Sequence, residues 1–491
     1  MNFTLIKKSF VGFLALILTT GCADLTENLT GQPTVDKFFQ TLNDYNSFIT
    51  GAYTPLITLY GGDMPYVASA GAEDIRTAVT APSLKWKGFE QIDINTVGNP
   101  DVVTRELWMF HYQSISACNT LIQIISENTK LSPEELRPIE GEAHFLRAFN
   151  YFQLVRWFGE VPLLTEMNQS NAAVEPQSTV AQIYEQIVSD LRNAETTLPI
   201  SQADPSRPDL WAAKSLLAKV YLSMAGFPLN QTSYYALARD KAAEVIDSEA
   251  YSLEKDYSQL WLWDNRKTNS EFIFALYASS DNGTGCWVYQ AIRPLEETGW
   301  ADFTSDERFL ETFPVGNGNR LRGTFYLTLN DGTSWKNTEA AQPYVGKYRD
   351  AGPKSGGYWG SPTARLADGF YCMLRYSEVL LIYAEAANQA EGQSSVAAYA
   401  AINEVRRRAG IGELSGLTSA QFDKAVLDER NWELAFECNR WFDLCRRHIL
   451  KETMQVYYPD AQIDDHNYLL PKPYEQMNIM TGIVQNPGYK E

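Results

Sequence analysis

Two pairs of glutamates lie at spacings that could bring two carboxylates together on a helix: Glu378 with Glu385, and Glu433 with Glu437. Glycoside hydrolases place two carboxyl groups on either side of the scissile bond, one as the acid and the other as nucleophile or base. Spacing alone is therefore compatible with a glycoside hydrolase that uses a pair of glutamates. The residues next to these acids indicate whether the acids could be catalytic.

Arginines stand beside the same acids. Residues 426–447 read as one helix that is rich in charged and in large apolar residues, and residues three or four apart share a helix face. The expected ion pairs are Arg375–Glu378, Arg430–Glu433, Glu437–Arg440 and Asp443–Arg447. An ion-paired carboxyl stays ionised and makes a poor general acid. We therefore predict a structural ion network without catalytic residues, and a glycoside hydrolase is the alternative.

The sequence contains no other catalytic pattern. The four histidines (His111, His144, His448 and His466) are scattered and lack metal-binding spacings, and no nucleophile elbow or phosphate-binding loop occurs. The cysteines beyond residue 22 are odd in number and form no C-x-x-C, which argues against a disulfide framework and a zinc site. The sequence predicts no cofactor and no metal site.

Composition narrows the class of partner. The chain has 491 residues, of which 45% are hydrophobic, and its formal net charge is −19. Nucleic-acid binding needs a basic face that displaces counterions, and docking on anionic lipid needs a basic patch. We expect no nucleic-acid partner, because so acidic a protein suits a neutral or a basic ligand.

Most of the segments that position these residues carry the sequence signals of helices. Ser132 and Pro133 followed by two glutamates mark a helix start, because serine caps, proline fits the first position and acids favour the positive end of the dipole. Residues 211–248 and 374–410 resemble each other in length and in small residues, as tetratricopeptide-like hairpins do. Generic antiparallel helices are the alternative. The predicted fold is mainly α, a tetratricopeptide-like helical hairpin scaffold with an irregular, loop-rich lobe.

That lobe is the better candidate for ligand binding. Residues 251–371 are rich in Gly, Pro, Asn and aromatics and hold six of the twelve tryptophans in about a quarter of the chain. Trp and Tyr offer flat apolar faces on which sugar rings stack, and polar side chains nearby can bind hydroxyl groups. The candidate ligand-binding residues are Asp74, Arg76, Trp86, Trp287, Tyr289, Trp300, Trp335 and Trp359.

The first residues have the pattern of a bacterial lipoprotein signal. Lys7 and Lys8 precede an apolar run at 10–18 that is too short to span a bilayer, and Cys22 follows Gly21 where cleavage is expected. We predict a signal peptide at 1–21 and a lipid attached to Cys22 that anchors the chain to a membrane. Ordinary cleavage with an incidental cysteine is the alternative.

Several long motifs in one order resemble the SusD/RagB family of surface lipoproteins of Bacteroidetes-type bacteria. They lie at 142–162, 184–199, 374–410, 426–447 and 485–489, the last reading QNPGY. The resemblance implies a mainly helical protein that is not an enzyme. It implies a lipid-anchored place on the outer membrane and cell surface. The implied role is delivery of oligosaccharides, or in some cases peptides, to a SusC-like TonB-dependent transporter.

The resemblance identifies no ligand, because the shared motifs lie on the scaffold. We expect glycan binding to be the function, with peptide binding in the same fold as the alternative. The expected organisation is a signal peptide (1–21), an N-terminal lead with part of the binding lobe (22–100), a helical scaffold (101–250), the aromatic-rich lobe (251–371), and C-terminal hairpins with a tail (372–491).

Overall fold

The computed structural model describes residues 38–77, 86–90, 92, 101–167, 172–202, 204–279, 286–350 and 368–489. It has two units, Met1–Asp44 and Tyr45–Glu491. In the described part of the first unit, the Thr41 hydroxyl donates to the Asp44 carboxylate at 2.8 Å. The predicted signal peptide, Cys22 and Trp359 lie outside the described residues.

The protein is mainly helical, as predicted. The helices are α1 (Leu42–Gly61), α2 (Met64–Ser69), α3 (Lys87–Glu90), α4 (Asp101–Ser126), α5 (Pro133–Phe158), α6 (Val180–Thr197), α7 (Leu210–Ala225), α8 (Tyr234–Asp247), α9 (Val288–Ile292), α10 (Glu307–Glu311), α11 (Gly318–Thr324), α12 (Tyr376–Glu391), α13 (Val396–Ala409), α14 (Ser419–Glu433), α15 (Arg440–Arg446), α16 (Leu450–Tyr457) and α17 (Tyr474–Ile479). Among the helices of the described ranges, none is both long and apolar enough to cross a membrane.

Side-chain caps fix where the long helices begin. At the start of α5, the Glu135 amide donates to the Ser132 hydroxyl at 3.4 Å, and the Ser132 amide donates to the Glu135 carboxylate at 3.0 Å. Thr179 and Thr418 form equivalent capping boxes before α6 and α14. Each box satisfies backbone donors that a helix start leaves unpaired, so the boundaries follow from local sequence.

Successive helices pack on one another to form the scaffold. Helix α5 lies between α4 and α6, α7 packs between α6 and α8, and α12 packs against α8, α13 and α14. Because α5 is covered on several sides, its polar side chains need partners. The Arg147 Nε donates to Asp190 at 2.8 Å, and the His144 Nδ1 lies 2.7 Å from the same carboxylate. This arrangement agrees with the predicted tetratricopeptide-like hairpins.

Two small antiparallel sheets organise the lobe. Strands β1 (Arg76–Thr77), β5 (Phe303–Thr304), β7 (Tyr344–Val345) and β6 (Phe325–Tyr326) form one sheet in that order. Strands β4 (Phe272–Ala278) and β8 (Gly369–Arg375) form another, with Tyr277 opposite Phe370. Strands β2 (Val161–Pro162) and β3 (Gln177–Ser178) pair within the scaffold. Strand β1 therefore joins the N-terminal segment to the lobe.

The segment at 426–447 is two helices rather than the one helix predicted. Helix α14 ends at Glu433, and α15 begins at Arg440 after a turn in which Phe436 and Cys438 adopt φ values of 64° and 55°. The turn is held from outside, because the Phe436 amide donates to Asp74 at 2.9 Å and the Tyr66 hydroxyl donates to the Phe436 carbonyl at 2.9 Å. Tertiary hydrogen bonds therefore override a helical sequence pattern.

Candidate functional site

Glu433, the strongest candidate for acid catalysis, is buried among three arginines. Its carboxylate lies 2.6 Å from Arg375 Nη1 and 3.1 Å from Arg320 Nη1, and it also pairs with Arg408. Burial alone would raise the pKa of Glu433, but the three guanidinium groups hold it well below its usual range. The acid is fixed in its ionised form, so it cannot donate a proton to a leaving group.

The other candidate acids are buried and paired in the same way. The pairs are Glu437 with Lys347 and Arg375, Glu378 with Lys219 and Arg430, and Glu385 with Arg446 and Arg447. The prediction of a structural ion network is confirmed. The predicted partners within 426–447 are wrong, and so is the predicted pair Arg375–Glu378, because Arg375 binds Glu271, Glu433 and Glu437. Because the chain turns after Glu433, most of these charges meet partners on other elements, although Asp443 also pairs with Arg446 on the same helix.

Asp74, predicted to bind ligand, lies in the interior beside that turn. Its Oδ2 accepts the Phe436 amide, and its backbone carbonyl accepts the Ser305 hydroxyl at 2.9 Å. Burial raises the pKa of Asp74 to about 6, although the hydrogen bond from Phe436 opposes the change. In the described structure, Asp74 holds the turn between α14 and α15.

Arg76, the second polar candidate, is held by two carboxylates. Its Nη2 lies 2.9 Å from Glu90, and its Nη1 pairs with Asp306. The Thr77 amide donates to the same Glu90 side chain at 2.9 Å. These contacts attach β1 and α3 to the start of α10, and they engage the polar edge of the guanidinium that a ligand would use.

Three of the predicted aromatics are buried: Trp86, Tyr289 and Trp335. Trp335 packs in a cluster with Tyr326 and Tyr344, and its amide donates to Leu327 at 3.1 Å. These rings support the lobe from inside. For these three residues, and for Asp74 and Arg76, contact with a ligand stays a prediction, as it does for Trp359 outside the described residues.

Trp287 and Trp300 are brought together at the surface. Their ring centroids are 6.1 Å apart, with an angle of 59° between the ring planes. Trp287 is 41% exposed and Trp300 is 37% exposed, and they are the exposed tryptophans of the described ranges. Two tilted indoles that face solvent present an apolar surface, which is suited to the C–H face of a sugar ring.

The backbone around α9 fixes this aromatic pair. The Trp287 amide donates to the Gly61 carbonyl at 2.6 Å, and the Trp300 amide donates to the Gln290 carbonyl at 2.8 Å. A Cβ atom on Gly299 would lie 2.2 Å from the Arg293 carbonyl oxygen, so the turn before Trp300 requires glycine. Sequence reasoning missed Gly299, and its position directly before a candidate tryptophan was the available signal.

The chemistry that the Trp287–Trp300 pair offers is that of its two indole rings. Among the described residues, no group of three or more His, Cys, Asp or Glu side chains could hold a metal ion. The two exposed indoles supply apolar surface and N–H donors, and neither is a nucleophile or an acid. The arrangement can hold a ligand by stacking.

Sequence comparisons match the chain to SusD-like proteins. A model described as the SusD family matches residues 322–489, and one described as starch-binding associating with outer membrane matches residues 37–222. A SusD-like protein P2 of Formosa agariphila is 26% identical, covering 98% of this chain and 100% of the relative. A SusD-like protein of Bacteroides ovatus is 26% identical and covers 73% and 67%.

Comparison with solved structures gives the same fold. A SusD homolog from Bacteroides thetaiotaomicron superposes with a TM-score of 0.79 at 23% identity, covering 93% of this chain and 99% of the other. A laminarin-binding SusD-like protein superposes with a TM-score of 0.75 at 23% identity, covering 91% and 99%. At these identities the likeness establishes the architecture, and ligand identity must be argued from this chain's residues.

Proposed function

Because the chain belongs to the SusD/RagB family, and proteins of the same fold include a laminarin-binding protein and a surface glycan-binding protein of Bacteroides uniformis, we propose that it binds glycans at the cell surface without cleaving them. We further propose that it delivers oligosaccharides to a SusC-like TonB-dependent transporter of the outer membrane. The observation that carries glycan binding is the exposed pair of Trp287 and Trp300.

The burial of the candidate catalytic acids supports the same proposal. Glu433 and Glu437 are at most 2% exposed, and each is paired with basic side chains. A glycoside hydrolase must present both carboxyls to the substrate. A peptide ligand would suit the net charge of −19 if it were basic, but exposed flat indoles favour a sugar.

Isothermal titration against a panel of oligosaccharides, with laminarin fragments among them, tests the proposal. We expect at least one glycan to bind, and Trp287→Ala and Trp300→Ala each to weaken it by about 1–3 kcal/mol, as hot-spot aromatics do. Trp211→Ala, on α7 of the scaffold, is the matched control and should bind normally. Normal binding by both site variants, or binding of basic peptides with no glycan, would overturn it.

Lipid anchoring and delivery to a transporter are tested by separate experiments. Cys22, the predicted lipid attachment site, lies outside the described residues. We expect the protein to incorporate labelled fatty acid in bacterial cells, and Cys22→Ala to lose the label and the surface location. We expect the wild-type protein to co-purify with a TonB-dependent transporter from outer membranes. Secretion of the protein without a label would reject the lipid anchor. Purification of the protein without a transporter would reject delivery to a transporter.

A further inference from the structure

A cavity of about 550 Å³ lies in the scaffold, away from the aromatic pair. It forms where the end of α5, the start of α6, the turn after α7, helix α15 and the tail at 465–487 come together. None of its lining residues belongs to the 287–300 segment. Its volume falls in the range of small-molecule sites, about 300–1,000 Å³.

The walls of this cavity are mainly apolar. The lining side chains that provide this surface include Val155, Val180, Phe227, Phe442, Leu469 and Val484. The tail is fixed in place, because the Asn486 side chain donates to the carbonyls of Phe158 at 3.0 Å and Leu470 at 2.8 Å. The cavity is therefore built from separate parts of the chain, and it offers a ligand an apolar enclosure.

One arginine supplies charge to this enclosure. The Arg156 guanidinium lies between the rings of Phe152 and Phe442, at 3.8 Å and 3.7 Å from their centroids. Its Nε donates to the Phe152 carbonyl at 3.1 Å, and its Nη2 donates to the Gln153 side chain at 2.7 Å. Nη1 forms no hydrogen bond with another of the described residues.

The charge of Arg156 lacks a counter-ion of its own. No carboxylate of the described ranges forms an ion pair with it, unlike the neighbouring Arg446, which is paired with Glu385 and Asp443. Burial lowers the pKa of Arg156 to about 10, so the group still carries its charge at neutral pH. Stacking on two rings offsets part of the cost of burying a charge, and an anion would offset more.

Two carboxylates that line the cavity already have partners. Glu160 accepts the Gln177 side-chain amide at 2.8 Å. Asp465 is largely exposed and lies 3.5 Å from the His448 ring nitrogen. The second lining arginine, Arg446, donates from all three of its nitrogens to Asp443 and Glu385. Of the two arginines, Arg156 is therefore the one with an unused donor for the polar end of a ligand.

We propose that this cavity is a second binding site, for a small amphiphile with an apolar body and one anionic group that Arg156 binds. The anionic group is a carboxylate or a phosphate, both of which accept paired hydrogen bonds from a guanidinium. The apolar body fills the space between Val155, Phe227 and Leu469. This site is independent of the glycan site, and neither proposal depends on the other.

Isothermal titration with octanoate, octyl phosphate and 1-octanol tests the site in the full chain. We expect one site per chain for the anions, and 1-octanol to bind about 10-fold more weakly or worse, because it lacks the charge that strengthens the hydrogen bonds. The tighter of the two anions identifies the head group as carboxylate or phosphate. Absence of binding by both anions, or equal binding of 1-octanol, would overturn the proposal.

Two sets of variants separate the charge of Arg156 from its packing. Arg156→Gln should weaken octanoate about 10-fold or more and leave 1-octanol unchanged. Since removal of a stacked arginine risks misfolding, Val484, which lines the cavity and is 60% exposed, provides a matched pair. Val484→Glu should bind octanoate about 2- to 5-fold more weakly than Val484→Gln, with 1-octanol unaffected.

Measuring each site's variant with the other site's ligand distinguishes the two sites. Trp287→Ala should leave octanoate binding unchanged, and Val484→Glu should leave glycan binding unchanged. Equal octanoate affinity of Val484→Glu and Val484→Gln would refute a role for charge at this cavity. Loss of octanoate binding in Trp287→Ala would show that the anion binds at the surface pair instead.

Discussion

Arg375 donates to Glu433 across 2.6 Å, with at most 1% of either side chain exposed. The arginine closes strand β8, and the glutamate ends helix α14, so the contact joins the lobe to the C-terminal helices. Two further arginines, Arg320 and Arg408, reach the same carboxylate. Arg320 keeps Glu429, and Arg375 and Arg408 keep Glu271, when Glu433 is removed. The three buried arginines would then share fewer carboxylates, and the effect on stability can be measured.

We expect Glu433→Gln to lower the free energy of unfolding by about 3–5 kcal/mol, the usual cost of removing one partner of a buried ion pair. Urea denaturation measures it. Glu413→Gln is the control, because Glu413 pairs with Arg407 in solvent, and it should change stability by less than about 1 kcal/mol. If Glu433→Gln were as stable as wild type but lost glycan binding, Glu433 would belong to a site.

The ion network also predicts loss of stability in acid. Neighbouring arginines outweigh the effect of burial and hold the pKa values of Asp443, Glu433 and Glu385 below their usual ranges. A depressed carboxyl pKa stabilises the fold above the unfolded value and loses this effect as pH falls toward the folded one. We expect the melting temperature to fall steeply below about pH 4. A flat profile from pH 7 down to about pH 3 would contradict this expectation.

Because of Glu142, we expect stability to change in the opposite direction at higher pH. It accepts the Tyr53 hydroxyl and lies 3.2 Å from Arg207, yet burial raises its pKa to about 7. A carboxyl whose pKa is raised on folding contributes stability below its unfolded value and loses it as pH rises through the folded value. We expect stability to increase as pH falls from about 8 to 5.

Glu142→Gln should reduce that increase, because the amide does not titrate. The measurement is the free energy of unfolding by urea at several pH values. Asp74, with a pKa of about 6, contributes in the same direction, so some increase should persist in the variant. If the unfolding free energy of Glu142→Gln changed with pH as much as that of the wild type, Glu142 would not be the source of the pH dependence.

Gly299 predicts how the aromatic pair depends on the backbone. The added methyl of Gly299→Ala would meet the Arg293 carbonyl oxygen at 2.2 Å and its carbonyl carbon at 2.5 Å, both backbone atoms that cannot move away alone. We expect the turn to shift and glycan affinity to fall at least about 5-fold, since one displaced hot-spot ring costs roughly 1 kcal/mol or more. Titration calorimetry on folded protein measures it.

Gly318→Ala is the control for this substitution. Gly318 lies in α11, and no atom lies within 4 Å of the place its Cβ would take. We expect glycan binding to be unchanged and stability to rise slightly, because alanine favours helix. Equal affinity of Gly299→Ala and wild type would show that the ligand does not depend on the position of Trp300.

The sequence predicted the scaffold well because its signals are local. The capping box at Ser132 and Glu135 specifies a helix start without reference to the rest of the chain. The turn after Glu433 was not predictable, because its positive φ angles are stabilised by Asp74 and Tyr66, more than 350 residues earlier in the chain. Partner choice in the ion network follows from that turn.

The candidate site was predictable in residue type but not in exposure. Trp287, Trp300 and Trp335 share a Gly-rich context, yet the first two face solvent and the third packs against Tyr326 and Tyr344. Whether an indole is a ligand surface or core depends on which segments cover it, and no local pattern records this. The cavity at Arg156 is assembled from five separate segments and carried no signal in the sequence.

The buried ion network has a consequence for engineering. Glu271, Arg320 and Arg375 come from the lobe and its sheet, while Arg408 and Glu433 come from the C-terminal helices. A transplanted lobe would carry Arg320 and Arg375 without Glu433. The C-terminal helices alone would keep Glu433 with Arg408 and lose the other two arginines. Altered ligand specificity should therefore be sought by exchanging surface loops around Trp287 and Trp300, because exchange of whole segments would separate charges that must be buried together.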